Sequence, residues 1–174
     1  MTRGRPWRTA RAVSIAFMLL GASASFQANA ETRGQVSATN KAHVAQALNA
    51  WMDGRGSITD LFAPAIRWTI VGNTLVSGTT VGKDQVIKRI LKPFGERFSR
   101  SKEKFHPTVI RGLYSDGDVV VAVFDGRGVD NNGKPYINTY AWILTLRDGL
   151  VVEATAFFDS LAFNELWRTV RPVP

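Results

Sequence analysis

The sequence predicts an α+β fold in which helices pack on one face of a largely antiparallel sheet. Apolar residues recur at helical spacing in the first part of the chain. Beyond residue 105, three turn signals follow at 16-residue intervals, Asp116-Gly117, Asn132-Gly133 and Asp148-Gly149. Such dipeptides suit the positive φ angles of tight hairpin turns, so this part is predicted to be a four-stranded meander. The helices then need one face of that sheet as their apolar partner.

The composition is that of one globular domain. The chain has 174 residues, of which 45% are hydrophobic and 21% charged. The absence of cysteine excludes disulfides, thiolate catalysis and cysteine metal sites. With His43 and His106 as its only histidines, a histidine metal centre would have to borrow carboxylates. We therefore expect no metal and no organic cofactor.

The first 30 residues have the three parts of a secretory signal peptide. A basic segment precedes a short apolar stretch over residues 13–22, and Ala28-Asn29-Ala30 matches a small-residue cleavage site. A membrane-spanning helix needs about 20 apolar residues, and this stretch is about half as long, so an uncleaved anchor is the less favoured alternative. We expect cleavage after Ala30, export to the periplasm or the exterior, and no membrane attachment afterwards. The basic residues are Arg3, Arg5, Arg8 and Arg11.

Most of the positive charge belongs to the same segment. The formal net charge is +8, but residues 1–30 contain four arginines and no acid, so cleavage lowers it to +4. The remaining basic residues are scattered apart from a short run over residues 97–104, whose simplest interpretation is a solvated connection. Binding to nucleic acid or to an anionic surface, which depends on clustered positive charge, therefore loses most of its support.

The predicted elements follow in order from residue 31. Residues 31–40 are polar and small and are expected to form a flexible leader before a domain over residues 41–170 and a tail over 171–174. The first helix begins near Lys41 and ends at Asp53-Gly54. Its apolar residues Val44, Ala45, Leu48, Trp51 and Met52 recur at helical spacing.

A capped turn, a strand, a second helix and a closing helix complete the expected elements. The turn covers residues 57–62 and stops at Pro64, and the strand covers residues 66–71. The second helix opens at Gly82-Lys83-Asp84, and Pro93 with Gly95 ends or kinks it. The closing helix is capped by Asp159 or Ser160 and has as its apolar residues Leu161, Phe163, Leu166, Trp167 and Val170.

Alternation along the last two strands of the meander predicts two unlike sheet faces. In the third strand Tyr136, Asn138, Tyr140 and Trp142 point one way, and Ile137, Thr139, Ala141 and Ile143 the other. In the fourth strand Val152, Ala154, Ala156 and Phe158 share a face. We expect the small residues to leave a cavity beneath the helices, and the large aromatics to form a homodimer interface on the outer face. The alternative is that the alanines pack closely against the first helix.

Several short motifs follow one another along the chain in a characteristic order. They are Leu61-Phe62-Ala63-Pro64, Arg67-Trp68-Thr69-Ile70-Val71-Gly72, Ser77-Gly78 with Gly82-Lys83-Asp84, Gly133-Lys134-Pro135-Tyr136-Ile137-Asn138-Thr139-Tyr140, Arg147-Asp148-Gly149 and Phe158-Asp159-Ser160. This order resembles the SnoaL-like, polyketide cyclase-like branch of the ketosteroid isomerase and nuclear-transport-factor-two superfamily. The resemblance implies a curved sheet wrapped on helices into a cone-shaped, cystatin-like roll, whose mouth holds a small hydrophobic ligand.

The resemblance does not carry over the known catalytic patterns. The acids of the ketosteroid isomerase branch fall here on Ile70 and Ala141, which are not acids. The pattern of the limonene-epoxide-hydrolase branch falls on Val123, Asp125 and Ala156, of which Asp125 alone is an acid. The resemblance therefore implies neither of these two reactions.

Asp125 and Arg127 are the candidate catalytic residues. Residues two apart in a strand share a face, so their opposite charges can pair. In a pocket, Asp125 would act as a general base that removes a proton from a carbon next to a carbonyl group of the ligand. Arg127 would bind the resulting enolate or a carboxylate of the substrate. The alternative is a surface pair at the rim of the sheet.

Two function classes remain open from the sequence. One is a cofactor-free enzyme of the isomerase, cyclase or lyase type, and the other is a non-catalytic ligand-binding or dimerisation module. Both use the same predicted pocket lining, which consists of Trp51, Trp68, Ile70, Tyr114, Val123, Thr139, Ala141, Ala154, Ala156 and Phe158.

Overall fold

A single mixed sheet organises the molecule. The computed structural model describes the backbone of residues 16–174 and the side chains of residues 30–174. The strands are β1 (Phe62–Ile70), β2 (Gly78–Val81), β3 (His106–Asp116), β4 (Val119–Val129), β5 (Pro135–Arg147) and β6 (Leu150–Phe158). Their order is β2-β1-β6-β5-β4-β3, so the two edge strands do not pair and the sheet stays open. The predicted α+β class is confirmed.

The predicted meander is also confirmed. Strands β3 to β6 pair antiparallel in sequence order. Gly117, Gly133 and Gly149 all have positive φ, the backbone conformation for which glycine is favoured in tight turns. Strand β1 then pairs parallel with β6 and antiparallel with β2. Strand β2, which the sequence analysis did not identify, is four residues long and lies at the edge.

The prediction of the sheet faces was wrong, because β6 contains a register shift. Arg147 pairs with Leu150 across the turn, but Thr145 pairs with Glu153, so one residue of β6 is left over at Val152. A one-residue slip moves every later side chain to the opposite face. Ala156 therefore lies opposite Trp142. Small and large residues share one face and interdigitate instead of occupying separate faces.

We call the face beneath the helices the inner face and the other the outer face. The inner face carries Val120, Ala122, Phe124, Tyr136, Asn138, Tyr140, Trp142, Leu144, Ala154, Ala156 and Phe158, and all but Phe158 are buried. The outer face carries Val109, Arg111, Tyr114, Val123, Asp125, Arg127, Ile137, Thr139, Ala141, Ile143 and Phe157. Tyr140 and Trp142, expected at an outer interface, are only 6% and 5% exposed.

Helix α1 (Ala16–Met52) crosses the sheet with the predicted apolar face towards it. Val44 and Leu48 are fully buried in the core, and Trp51 packs against it. The helix ends before Gly54, whose φ of 67° is unfavourable for other residues. Among the described helices, none combines the length and the apolar character needed to cross a membrane.

Residues 31–40 are helical, which corrects the expectation of a flexible leader. This part of α1 contacts the turn between β3 and β4. Arg33 donates to both carboxylate oxygens of Asp116 at 2.9 and 2.8 Å, and Ser37 Oγ accepts the Gly117 backbone N–H at 2.6 Å. Asn40 is 7% exposed. These contacts favour an ordered segment that its polar composition alone does not predict. The signal-peptide prediction falls largely outside the described side chains and stays a prediction.

The second helical segment is broken by Pro93, as its sequence predicts. It consists of α2 (Lys83–Val86), a π-helical turn (Ile87–Leu91), α3 (Lys92–Gly95) and a 3-10 turn (Glu96–Phe98). Proline has no N–H and its ring crowds the carbonyl four residues earlier. The preceding turn is widened, and Lys92 donates to the carbonyl of Ile87, five residues back.

Two capped elements complete the fold. Ser57 and Asp60 form a reciprocal capping box at the 3-10 turn Ile58–Leu61. Asp159 is the N-cap of helix α4 (Ser160–Thr169), and its carboxylate accepts a hydrogen bond from the backbone N–H of Leu161. Phe163 and Leu166 are buried, whereas the expected apolar residue Leu161 is 80% exposed.

Candidate functional site

An apolar cavity lies between the inner face and the helices. Its volume is about 240 Å³, slightly below the range of about 300–1,000 Å³ typical of pockets for drug-sized ligands. Aromatic rings form most of its wall, and its polar lining residues are few. The lining consists of Trp51, Ser57, Ile58, Thr59, Trp68, Ile70, Ile90, Leu91, Phe94, Gly95, Lys104, Phe105, Phe124, Tyr140, Trp142, Phe158 and Phe163.

Trp142 stands at the centre of the aromatic wall. Its ring lies 6.3 Å from that of Trp51 in a stacked arrangement and 5.0 Å from that of Trp68 edge to face. Such pairs are favourable geometries for aromatic rings and limit the freedom of each indole. Ala122 and Ala156 flank Trp142 in the two neighbouring strands, which leaves room for the indole.

Phe105 reaches the cavity by packing on two glycines of β4. A Cβ atom at Gly126 would lie 2.4 Å from Cζ of Phe105, and one at Gly128 would lie 2.9 Å from its Cα. Glycine at both positions therefore permits a close approach of Phe105 to the inner face. The ring then contacts Tyr140, with centroids 5.8 Å apart.

A chain of polar side chains runs along β5 and ends at the cavity. The amide of Asn138 is fixed by the backbone of Asp159, which donates to its Oδ1 at 2.9 Å and accepts from its Nδ2 at 3.1 Å. The same Nδ2 donates to the hydroxyl oxygen of Tyr136 at 2.9 Å. The hydroxyls of Tyr136 and Tyr140 are 3.2 Å apart. Burial raises the pKa of both tyrosines, that of Tyr140 well above its ordinary value, so both are neutral phenols at pH 7.

Two more potential donors belong to lining residues. The indole N–H groups of Trp68 and Trp142 are buried and have no hydrogen-bond partner within the described part of the chain. Lys104 is differently engaged, since its ammonium donates to the carbonyls of Phe98 and Ser99. None of the lining residues is Asp, Glu or His. The cavity thus offers hydrogen-bond donors but no carboxylate or imidazole base.

The structure places both predicted catalytic residues on the outer face, outside the lining of this cavity, and each pairs with a different residue. Asp125 lies on the outer face, where Arg111 Nε donates to its Oδ1 at 2.8 Å and a second guanidinium nitrogen lies 2.6 Å from its Oδ2. Thr139 also donates to Oδ1 at 2.8 Å. Arg127 instead contacts Glu103 at 3.4 Å. The hydrogen bond from Arg111, and to a smaller extent the one from Thr139, lowers the pKa of Asp125 and so favours its ionised form.

The ten predicted pocket residues fall into three groups. Trp51, Trp68, Ile70 and Phe158 line the cavity. Ala154 and Ala156 are buried in the core but are not part of the lining. Tyr114, Val123, Thr139 and Ala141 lie on the outer face, so their predicted position was wrong.

Sequence reasoning missed most of the aromatic lining. Tyr140 and Trp142 were placed on the outer face by an alternation that did not include the bulge in β6. Phe105 was missed because it lies just before β3, where no periodic pattern identifies it. The adjacent Gly126 and Gly128 were a usable signal, because paired glycines in a strand indicate the close approach of another group.

Comparison with known proteins agrees with this architecture. A family model described as a SnoaL-like domain matches residues 41–154. No curated protein matched the chain. In the described residues, no group of three or more acidic or histidine side chains is arranged to hold a metal.

Three solved structures illustrate the structural similarity. Bal32a, from a soil-derived mobile gene cassette, has a TM-score of 0.62 at 19% identity, covering 76% of this chain and 99% of its own. A putative SnoaL-like polyketide cyclase from Jannaschia sp. CCS1 has a TM-score of 0.58 at 22% identity, covering 80% and 95%. TerC, co-crystallised with polyporic acid, has a TM-score of 0.57 at 19% identity, covering 75% and 99%. At these identities the similarity establishes the fold alone.

Proposed function

The chain belongs to the SnoaL-like domain family, and we propose that it is an exported protein that binds a small apolar molecule in its aromatic cavity. The observation that carries this proposal is the cavity of about 240 Å³, whose wall contains nine aromatic residues. A preformed apolar cavity with few polar groups is the usual form of a small-molecule site. The co-crystallisation of TerC with polyporic acid shows that a protein of this fold was crystallised with a small molecule.

Binding without carboxylate chemistry is the function that the cavity supports best. The base predicted from the sequence, Asp125, lies on the outer face and is held ionised by Arg111. The lining contains no Asp, Glu or His that could abstract a proton next to a carbonyl. We therefore favour the ligand-binding hypothesis over a cyclase or isomerase that depends on Asp125.

Two adjacent phenylalanines provide a matched test of the site. Phe158 lines the cavity, whereas Phe157 is 41% exposed on the outer face. Titration with tetralin, followed by calorimetry, should show saturable binding to the wild type. We expect Phe158→Ala to weaken it by about 1–2 kcal/mol, or about five- to thirtyfold. Phe157→Ala should leave it unchanged. Equal effects of the two substitutions, or no binding to the wild type, would refute the proposed site.

Export is the second part of the proposal, and it is supported by the sequence of residues 1–30. Cleavage after Ala30 would retain the contacts that Arg33 and Ser37 of α1 make with the turn between β3 and β4. Intact-mass measurement of protein produced in an exporting host should show a chain that starts at Glu31. A full-length chain in the cell pellet would contradict it.

The outer face supports a homodimer, which we propose as the assembly of this protein. Its exposed apolar residues include Val109, Tyr114 and Ile137, at 50%, 64% and 64% exposure. Exposed apolar side chains gathered on one face are typical of an interface. The charged pair Arg111 and Asp125 on the same face is already neutralised within the chain. A second copy, related by twofold symmetry, can therefore cover this face without supplying a complementary charge.

Light scattering on Ile143→Glu tests the dimer. Ile143 is 39% exposed on the outer face, and Leu161, which is 80% exposed on α4, provides a control position. We expect Ile143→Glu to be monomeric and Leu161→Glu to keep the wild-type mass. A monomeric wild type would exclude the dimer but would not affect the cavity.

A further inference from the structure

The hydrogen-bond chain along β5 has a direction. Backbone groups of Asp159 fix the amide of Asn138, so its Nδ2 is the atom that faces Tyr136 and must donate to it. The hydroxyl oxygen of Tyr136 is therefore an acceptor in that bond, and its own proton is available for another partner. The oxygen of Tyr140, at 3.2 Å, is the acceptor within reach.

This direction leaves the proton of Tyr140 free. If Tyr136 donates to Tyr140, every hydrogen-bonding group from Asn138 to Tyr136 is satisfied. Either hydroxyl can donate across this distance, and each arrangement leaves one buried phenolic proton without a partner in the described part of the chain. With Tyr136 as the donor, that proton belongs to Tyr140 and lies at the wall of the apolar cavity, where a ligand can accept it. Tyr140 is 6% exposed, lines the cavity, and has Tyr136 as its sole hydrogen-bond partner in the described part of the chain. Its O–H is thus a donor at the cavity wall.

We propose that Tyr140 is the specificity-determining residue of the cavity and donates a hydrogen bond to a carbonyl oxygen of an otherwise apolar, uncharged ligand. Tyr136 and Asn138 are positioning residues, because they act on the ligand through the orientation of the Tyr140 hydroxyl. The inference deepens the proposed function and rests on it. A carbonyl suits the site because the Tyr140 hydroxyl and the unpartnered indole N–H groups of Trp68 and Trp142 are all donors. The other lining hydroxyls, those of Ser57 and Thr59, are bonded to each other at 2.8 Å. The site thus discriminates between ligands of similar shape by one acceptor atom.

The test compares 1-tetralone with tetralin, which have the same bicyclic skeleton but differ in the carbonyl group. By calorimetry, the wild type should bind 1-tetralone about three- to tenfold more tightly than tetralin, the range expected for one buried hydrogen bond. Tyr140→Phe removes only the hydroxyl and should abolish this preference while tetralin binding is retained. A preference that persists in Tyr140→Phe would assign the carbonyl to the indole N–H of Trp68 or Trp142 and overturn the role of Tyr140. The tetralin titration serves as the control for an intact cavity in each variant.

A spectroscopic readout separates hydrogen bonding from a packing effect. The carbonyl stretching band of bound 1-tetralone should shift to lower frequency in the wild type, compared with its position in cyclohexane. The shift should disappear in Tyr140→Phe and shrink in Tyr136→Phe, which removes the positioning hydroxyl. If Tyr140→Phe also fails to bind tetralin, the variant is no longer informative and the carbonyl band of 1-tetralone bound to the wild type is used instead. An unshifted carbonyl band in the wild type would overturn the role of Tyr140.

The failures of the two proposals differ. Absence of tetralin and 1-tetralone binding to the wild type would overturn the proposed function and this inference with it. Equal binding of both probes, unchanged by Tyr140→Phe, would overturn the role of Tyr140 and leave the proposed cavity function standing.

Discussion

The contact between Gly126 and Phe105 allows a quantitative test of how the cavity is built. In Gly126→Ala, the new Cβ would lie 2.4 Å from Cζ and 2.8 Å from Cε2 of the Phe105 ring. Carbon atoms pack favourably at about 3.5–4.0 Å, so the ring must move by about 1 Å. Rings of Trp51, Phe94 and Tyr140 surround it at centroid distances of 4.8–5.9 Å. The ring therefore has no free space except the cavity itself.

We expect two effects from this displacement. Overpacking of this kind costs about 1–3 kcal/mol of unfolding free energy. Urea denaturation should show a midpoint lower by about 1 M with an unchanged slope. Because the displaced ring enters the cavity, tetralin binding should weaken as well. The double variant Gly126→Ala with Phe105→Leu should recover part of both losses, giving a measurable coupling between the two sites.

Gly34 provides the control. A Cβ there meets no atom within 4 Å, and the residue lies in α1 with ordinary helical geometry. Gly34→Ala should be as stable as the wild type or more stable by about 0.5–1 kcal/mol. Wild-type stability and wild-type tetralin affinity in Gly126→Ala would refute the placement of Phe105 on this glycine.

Three further outcomes are expected from single substitutions. Asp159→Ala removes the N-cap of α4 and should lower the unfolding free energy by about 0.5–2 kcal/mol, measured by thermal denaturation. Ser37→Ala removes the acceptor for the Gly117 N–H and should cost about 1 kcal/mol, whereas no cost would contradict the docking of residues 31–40. The lowered pKa of Asp125 contributes stability above pH 4 that is lost as pH falls through the folded-state value, so Asp125→Asn should show a weaker loss of stability below pH 4 in urea titrations.

The sequence was sufficient for the elements of the fold that depend on local signals. Turn dipeptides with glycine predicted the meander, and helical spacing predicted the buried residues Val44 and Leu48. Pro93 predicted the interruption of the second helix, and the preceding turn is π-helical. Each of these features is specified by residues near one another in the chain.

The features that were missed depend on contacts that are distant in sequence. The bulge at Val152 is compatible with the same alternation as a regular strand, yet it reverses which side chains face the helices. Because Asp125 and Arg127 were paired by spacing alone, Arg111 of the neighbouring strand β3 was not considered as a partner for Asp125. The helical conformation of residues 31–40 similarly depends on Asp116 and Gly117, about 80 residues away.

The central claim is that the apolar cavity on the inner face, and not the charged pair on the outer face, holds the ligand. A crystal structure with 7-bromo-1-tetralone tests it most directly, because anomalous scattering locates the bromine atom. We predict a single bromine peak in the cavity among Trp51, Phe105 and Phe158, with the ketone oxygen within hydrogen-bond distance of the Tyr140 hydroxyl. A peak beside Asp125 and Arg111, with an empty cavity, would contradict the account.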